Sequence, residues 1–366
     1  YQYPNGKVPC CVDARGADPV PEHDSHGEFI YLVMEYYRHT GDRALLDSMW
    51  PHVTGAVRYI DSLRQSRRTD EFRQPGKQHF FGLLPPSISH EGYSARPMHS
   101  YWDDFFAYRG LADAAAMAAV LDKGDTATNY AAMRDEFRDE LVTSLQRSMA
   151  LHRITYLPGS ADLGDFDATS TTVGVTPGGL LGVLPDTALR QTFERYWQET
   201  VARRDNARDW DAYTPYELRT VGTMLRLGQK DRALQLLDMF LKDQEPMAWN
   251  QWPEVVWHDR RAPKFIGDSP HTWVGSDFLR SAADLFVYER ESDSALVIGA
   301  GIRQEWLEGE GVRVKQISTW WGPVSYTAAR VNGKTTYRIE AGRVPPGGLV
   351  IGDRRLRSLP AEVTVE

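Results

Sequence analysis

The chain has 366 residues, with 42 Lys and Arg against 50 Asp and Glu, a net charge of −8. This balance excludes the concentrated basic face of a nucleic-acid binder, and no run of about 18 apolar residues offers a membrane span. The 11 Trp and 17 Tyr suit a large aromatic core or a sugar-binding surface, where a flat ring stacks on the C–H face of a pyranose while its polar edge hydrogen-bonds.

The opening stretch "YQYPNGKVPCC" has neither an initiator Met nor a signal pattern, so localisation is not legible from this end. Adjacent Cys10 and Cys11 read as free thiols rather than a disulfide framework or a metal site. No metal and no cofactor are expected; "HDSH" does not make a metal site on its own.

From His23 to Arg290 two kinds of helix alternate. Those predicted over Ser25–Thr40, Tyr101–Lys123, Ala168–Val183, Thr214–Gly228 and His271–Arg290 are apolar on most of their surface. A helix of that kind is buried nearly all round. Those predicted over Arg43–Arg67, Thr126–Met149, Thr187–Arg204 and Asp231–Gln244 are amphipathic; Met133, Phe137 and Leu141, for example, form a stripe at helical spacing. Joints at Gly41, Gly124 and Gly228 each supply a helix-ending glycine and then an acid to lead the next helix.

Buried helices paired with amphipathic ones in hairpins are what an (α/α) barrel requires, an inner ring covered by an outer one. A solenoid is the competitor, but its repeats run about 33–47 residues at near-constant length, and these hairpins differ in length. The expected fold is an all-α six-hairpin (α/α)6 toroid. The helices read from the sequence are too few to close one, so further N-terminal helices, or an N-terminal domain, are expected in the full-length protein. After Glu291 short β-rich runs separated by Gly, Asn and Pro predict a small C-terminal β-sandwich-like domain. The resulting division is a barrel domain over 1–290 and a β-domain over 291–366.

In such a barrel the loops that lead into inner helices open at one end. Five are read, at Arg15–Glu28, Ser94–Asp104, Leu163–Thr171, Ala207–Glu217 and Ala248–Trp273, each with Asp or Glu and most with aromatic neighbours. Glycosidic hydrolysis needs one protonated carboxylic acid at the leaving oxygen and a second carboxylate. Aromatic walls raise the acid's pKa, which suits Asp103 or Asp104 within "SYWDDFFAYRG"; capping of the following helix is the competing reading. A base must come from another loop, and Glu254 among Trp249, Trp252 and Trp257 fits. Asp24, His26, Tyr101, Trp102, Asp167, Trp210, Asp211, Trp252, Trp257, His271 and Trp273 are the expected sugar-binding residues. Capping competes for Asp24, His26 and Asp167, a structural loop for Trp210 and Asp211, a buried structural role for His271, and a supporting role beside Arg260 or Arg261 for Glu254. The aperiodic stretch Gly82–Pro97 reads as a loop over the cleft.

These residues resemble the six-hairpin glycosidases, the group that includes trehalases, glucoamylases, processing α-glucosidases and α-L-rhamnosidases. "GDSPHTWVGSDFLRSAADLFVYER" looks like the last inner helix of bacterial, rhamnosidase-like members, and "LVIGAGIRQEWLEGEGVRVK" like their C-terminal β-domain. "YWDDFFAYRG" is similar to the trehalase and processing-glucosidase segment that supplies the catalytic acid, and "PEHDSHGEFIYLVMEYYRHTGD" to a sugar-binding Asp loop. The resemblance implies Asp103 as general acid, with Asp104 in reserve, and Glu254 as base in an inverting, exo-acting hydrolase of an oligosaccharide or glycoside. The other signature motifs of trehalases and the usual acid motif of rhamnosidases are missing, so no familiar substrate follows. A phosphorylase or lyase on the same barrel, or a non-catalytic carbohydrate-binding protein, are the alternatives.

Overall fold

The structure is a computed structural model that describes residues 1–90, 92–261, 264–359 and 361–365. Packing divides the chain into two compact units, Tyr1–Thr192 and Phe193–Glu366. This division falls inside a helix and differs from a 1–290/291–366 partition, which follows the change from helix to strand.

Unit 1 begins with a small ladder, β1 (Val12–Asp13) against β2 (Gly16–Ala17). It continues through α1 (Ser25–Thr40), α2 (Arg43–Gln65), α3 (Tyr101–Val120), α4 (Gly124–His152) and α5 (Ala168–Val175), and ends within α6 (Asp186–Arg204). The hairpins α1–α2 and α3–α4 both form, and α3 also packs against α1 and α5. Helix α3 is the central element, with Tyr101, Phe105, Leu111, Ala114 and Met117 all buried. Its closest approach to α1 is made through glycine: a Cβ on Gly27 would lie 2.0 Å from the Phe106 carbonyl oxygen. Only a residue without a side chain lets the two backbones meet there.

The joint at Gly41 is as expected, with a left-handed cap (φ 71) whose N–H bonds the Tyr37 carbonyl. The joint at Gly124 is not. There Asp122 takes the left-handed turn (φ 59) and Gly124 is already the first residue of α4. Asp tolerates that conformation because its short polar side chain bonds locally. Helix α5 stops at Val175 rather than Val183 because Pro177 follows, and a proline disfavours helix in the residue before it.

Unit 2 takes up the chain within α6 and continues through β3 (Ala212–Tyr213), a 3-10 turn at Pro215–Leu218, α7 (Arg219–Arg226), α8 (Lys230–Leu241), β4 (Val256–Trp257) and α9 (Thr272–Phe286). Helix α7 packs against both α8 and α9. Helix α9 ends four residues before Arg290, since Val287–Arg290 is already a strand, β5. Two four-stranded sheets follow, in the orders β11-β10-β6-β5 and β12-β9-β8-β7. The strands are β6 (Ala295–Ile298), β7 (Val312–Ile317), β8 (Val324–Val331), β9 (Lys334–Ala341), β10 (Leu349–Ile351), β11 (Arg354–Leu356) and β12 (Ala361–Val365). Both sheets contribute to one core, with Leu296, Ile298 and Leu349 from the first and Tyr326, Ala328 and Ile339 from the second. Burial alternates along β8 and β9, as strands with one face covered require.

The expectation that the apolar helices are buried all round holds for α3 but not for α1 and α9. Helix α1 exposes Leu32 and Tyr36, one helical turn apart, and α9 exposes Trp273 and Leu279. Each packs closely on only one other apolar helix, α1 on α3 and α9 on α7. Each therefore keeps part of its surface exposed.

Candidate active site

Asp103 and Asp104 open α3, yet neither caps it: the preceding Ser100 is the N-cap and makes no side-chain cap bond. Both carboxyls reach instead to the loop at 84–89. Leu84 N–H donates to Asp104 Oδ1 at 2.9 Å, while Ser89 Oγ donates to Asp103 Oδ1 at 2.9 Å and Ser87 Oγ to Asp103 Oδ2. Paired backbone bonds between Ser87 and Met98 hold this loop beside the helix start. Ser89 adopts a left-handed φ of 53 and its N–H bonds Ser87 Oγ at 2.7 Å.

Both aspartates have no exposed surface at all. Burial pushes Asp103 well above the usual carboxylate range, and the neighbouring Asp24 adds to this; the two serine hydroxyls pull against it. Burial likewise pushes Asp104 up to about 8, partly offset by the Leu84 N–H and by Arg64. Its Oδ2 has no hydrogen-bond partner among the described residues. A carboxyl so placed keeps its proton at neutral pH.

The first three loops converge within unit 1. Trp102 Nε1 donates to Asp24 Oδ2 at 2.7 Å, and the His90 ring lies 4.6 Å from that indole. His90 Nε2 is 3.2 Å from Ser170 Oγ and 3.5 Å from Asp167 Oδ2. Asp24 is raised by burial, which the Trp102 bond offsets in part. Asp167 caps α5, accepting from Ser170 N–H at 3.0 Å. Burial would raise its carboxyl, but His90 and Ser170 outweigh that and hold it below the ordinary range.

Several expected sugar-binding residues of this unit are packed inside it. Tyr101 is fully buried, its hydroxyl 2.8 Å from Ser144 Oγ, and Trp102 keeps only 1% exposure. His26 is also fully buried, accepts from Val8 N–H at 3.1 Å and is lowered by burial to about 3. These three wall and brace the carboxyls rather than present a surface.

In unit 2 the remaining two loops are joined by the β3–β4 ladder, which pairs Ala212 with Trp257 and Tyr213 with Val256. Glu254 precedes that ladder, its N–H bonding the Asp268 carbonyl at 3.1 Å. Its side chain lies against Gly267, where φ is +67 and a Cβ would come within 2.0 Å of Glu254 Oε2. Among the described residues Glu254 has no ion-pair partner; Arg260, read from the sequence as a neighbour for it, pairs with Asp243 at 2.6 Å.

The three tryptophans of the Glu254 loop have different settings. Trp252 is buried and donates to the Phe240 carbonyl at 2.7 Å, whereas Trp249 is 64% exposed. Trp257 donates to the Phe265 carbonyl at 2.7 Å. Trp210 stacks on His258 at 4.5 Å, and the exposed Asp211 carboxylate takes Lys264 Nζ at 3.1 Å. His271, just before α9, meets the Tyr216 hydroxyl at 2.6 Å, and Trp273 packs edge-on to the Tyr216 ring at 5.5 Å. Arg219 lies over both rings and pairs with Asp277 at 2.7 Å.

Sequence reading passed over Ser87, Ser89, His90, Tyr216, Arg219 and Asp277. The serines and His90 sit in "SISH", inside the aperiodic loop at 82–97, where a cluster of small hydroxyls was the available signal. Tyr216 lies within a loop that was read, but nothing in its spacing marked it out.

Residues 1–156 match the family described as the bacterial alpha-L-rhamnosidase 6 hairpin glycosidase domain. No curated protein matches the chain in sequence. Among solved structures, the alpha-L-rhamnosidase from Dictyoglumus thermophilum is 13% identical with a TM-score of 0.58, covering 94% of this chain and 36% of that one. The rhamnosidase of Bacillus sp. GL1 is 15% identical at a TM-score of 0.57, covering 93% and 34%. The alpha-L-rhamnosidase from Aspergillus terreus is 13% identical at 0.58, covering 99% and 41%. The chain thus shares their fold and spans little more than a third of their length. The resemblance to the six-hairpin glycosidases read from the sequence is borne out.

Proposed function

We propose that this chain forms the greater part of the catalytic barrel of an exo-acting, inverting glycoside hydrolase, with α-L-rhamnosides as the first substrates to test. The match of residues 1–156 to a glycosidase domain carries this reading. In it the helices belong to a six-hairpin toroid, the barrel runs over 1–290, the β-domain over 291–366, and further N-terminal helices complete the ring.

Glu254 acts as base, an unpaired carboxylate able to activate water, with His271, Tyr216 and Trp273 from the same unit offering polar and stacking contacts to a sugar. Asp103 acts as the acid, because burial beside Asp24 keeps it protonated. Delivery of that proton requires Ser87 and Ser89 to release the carboxyl, so movement of the loop at 84–89 belongs to the cycle.

The test uses aryl glycosides whose leaving groups differ in acidity. Loss of a general acid costs about 10²–10⁴-fold with a poor leaving group and little with a good one, whereas loss of the base slows both. Asp103→Asn should show the first pattern and Glu254→Gln the second. Equal losses on all leaving groups for Asp103→Asn would remove it from the acid role. The burial of Asp103 favours one second reading, a non-catalytic carbohydrate-binding protein in which the aspartates only anchor the loop. Sugar binding by calorimetry, with no hydrolysis over days in any variant, would establish it.

A further inference from the structure

Unit 2 contains a cavity of about 280 Å³ beside the β3–β4 ladder, bounded by Trp210, Tyr213, Trp257, Lys242, Arg204 and Arg260, with Met239 and Phe240 adding apolar surface. Glu254 is not among its lining residues, although Val256 of the same strand is. Its volume sits at the small end of ligand sites, about 300–1,000 Å³, enough for one ring rather than a chain.

The polar capacity of this cavity is one-sided. Asp243 is the single acid among the described lining residues, and both its oxygens are engaged: Oδ1 accepts from Arg260 Nη2 at 2.6 Å and Oδ2 from the Tyr213 hydroxyl at 2.6 Å. On the cationic side, Arg203 is held by Glu217 at 2.7 Å and Arg204 by Asp205. Among the described residues Lys242 has no ion pair, and Arg260 bonds through Nη2 with neither Nε nor Nη1 engaged. The pocket therefore has charged donors to spare and a single carboxylate, already bonded through both oxygens, in a chain whose net charge is −8.

Asn206 and His258 also line the cavity as uncharged polar groups, but among the described lining residues the full charge left without a partner is cationic. Aromatic rings with free cationic donors suit a sugar that brings its own carboxylate, which takes charge-assisted hydrogen bonds while its ring lies on an indole. We infer that this cavity is an accessory subsite for a uronic-acid unit, its carboxylate held by Lys242 and Arg260 and its ring packed on the aromatic wall of Trp210 and Trp257.

The assay is calorimetric titration of the chain with sodium D-glucuronate, with D-glucose and sodium acetate as separate arms, and it needs no turnover. Its outcome is therefore independent of the glycosidase reading. The expected result is one glucuronate per chain, no detectable glucose binding, acetate at least tenfold weaker, and a loss of at least tenfold in both Lys242→Gln and Arg260→Gln. Both side chains are exposed at the rim, so circular dichroism should show these variants folded. Absence of glucuronate binding, binding unaltered in both variants, or acetate binding as tightly as glucuronate would each overturn the assignment.

Discussion

Replacing Asp104 by Asn should stabilise unit 1, and by an amount that grows with pH. The carboxyl is fully buried, takes one backbone N–H on Oδ1, leaves Oδ2 unbonded, and carries a pKa of about 8 against 3.8 for the unperturbed group. A folded-state pKa above the unfolded one means that stability is fully present below about pH 4 and drains away as pH rises toward 8. At pH 7 the interval from the unfolded value is about three units at about 1.4 kcal/mol each, or about 4 kcal/mol. Asn keeps the Oδ1 acceptor for Leu84 and cannot ionise, so it escapes that loss. Urea unfolding followed by circular dichroism at pH 4.5, 6 and 7.5 should show the variant close to wild type at the lowest pH. It should become progressively more stable above that. A variant that is destabilised equally at all three would mean the native carboxylate is ionised and held by Arg64, which would refute the reasoning.

Asp113 is 1% exposed and bonded by Arg109 through Nε and Nη2, both at 2.8 Å, and by Arg38. Removing it in Asp113→Ala strands buried guanidinium charge and should cost about 3–5 kcal/mol by denaturant unfolding. Gly27→Ala should cost about 1–3 kcal/mol or more, because the added methyl meets the Phe106 carbonyl; an unchanged melting temperature would contradict the close α1–α3 approach. His23 and His26 are lowered by burial to about 4 and 3. They remain neutral in the fold, so stability should fall as pH drops below about 6.5, where the unfolded chain binds the proton first. His26→Gln should flatten that acid limb. Gly267→Ala should depress kcat of the proposed hydrolase with less effect on KM, since a Cβ there displaces the Glu254 carboxyl.

Helix positions were legible because 3.6-residue periodicity and capping chemistry are local: the sequence places α1 at Ser25–Thr40, the range it occupies. Local rules also explain where reading overran, as at Pro177 and at the helix-to-strand change after Phe286. "YWDDFF" announced a buried acid pair beside aromatics, and burial does raise both carboxyls. What those carboxyls bind was not legible, because Leu84, Ser87 and Ser89 lie in a stretch without period and meet α3 only through the folded loop. The settings of the tryptophans in the Glu254 loop were not legible for the same reason. Composition says that an indole is present, but only packing decides that Trp252 turns inward to Phe240 while Trp249 faces solvent. The sequence by itself determined the elements, the helical hairpins and the acidic, aromatic character of the loops, since these depend on neighbours along the chain. Tertiary structure alone decided which carboxyls are protonated, which are tied and which are free, because pKa and accessibility depend on groups brought together from distant positions.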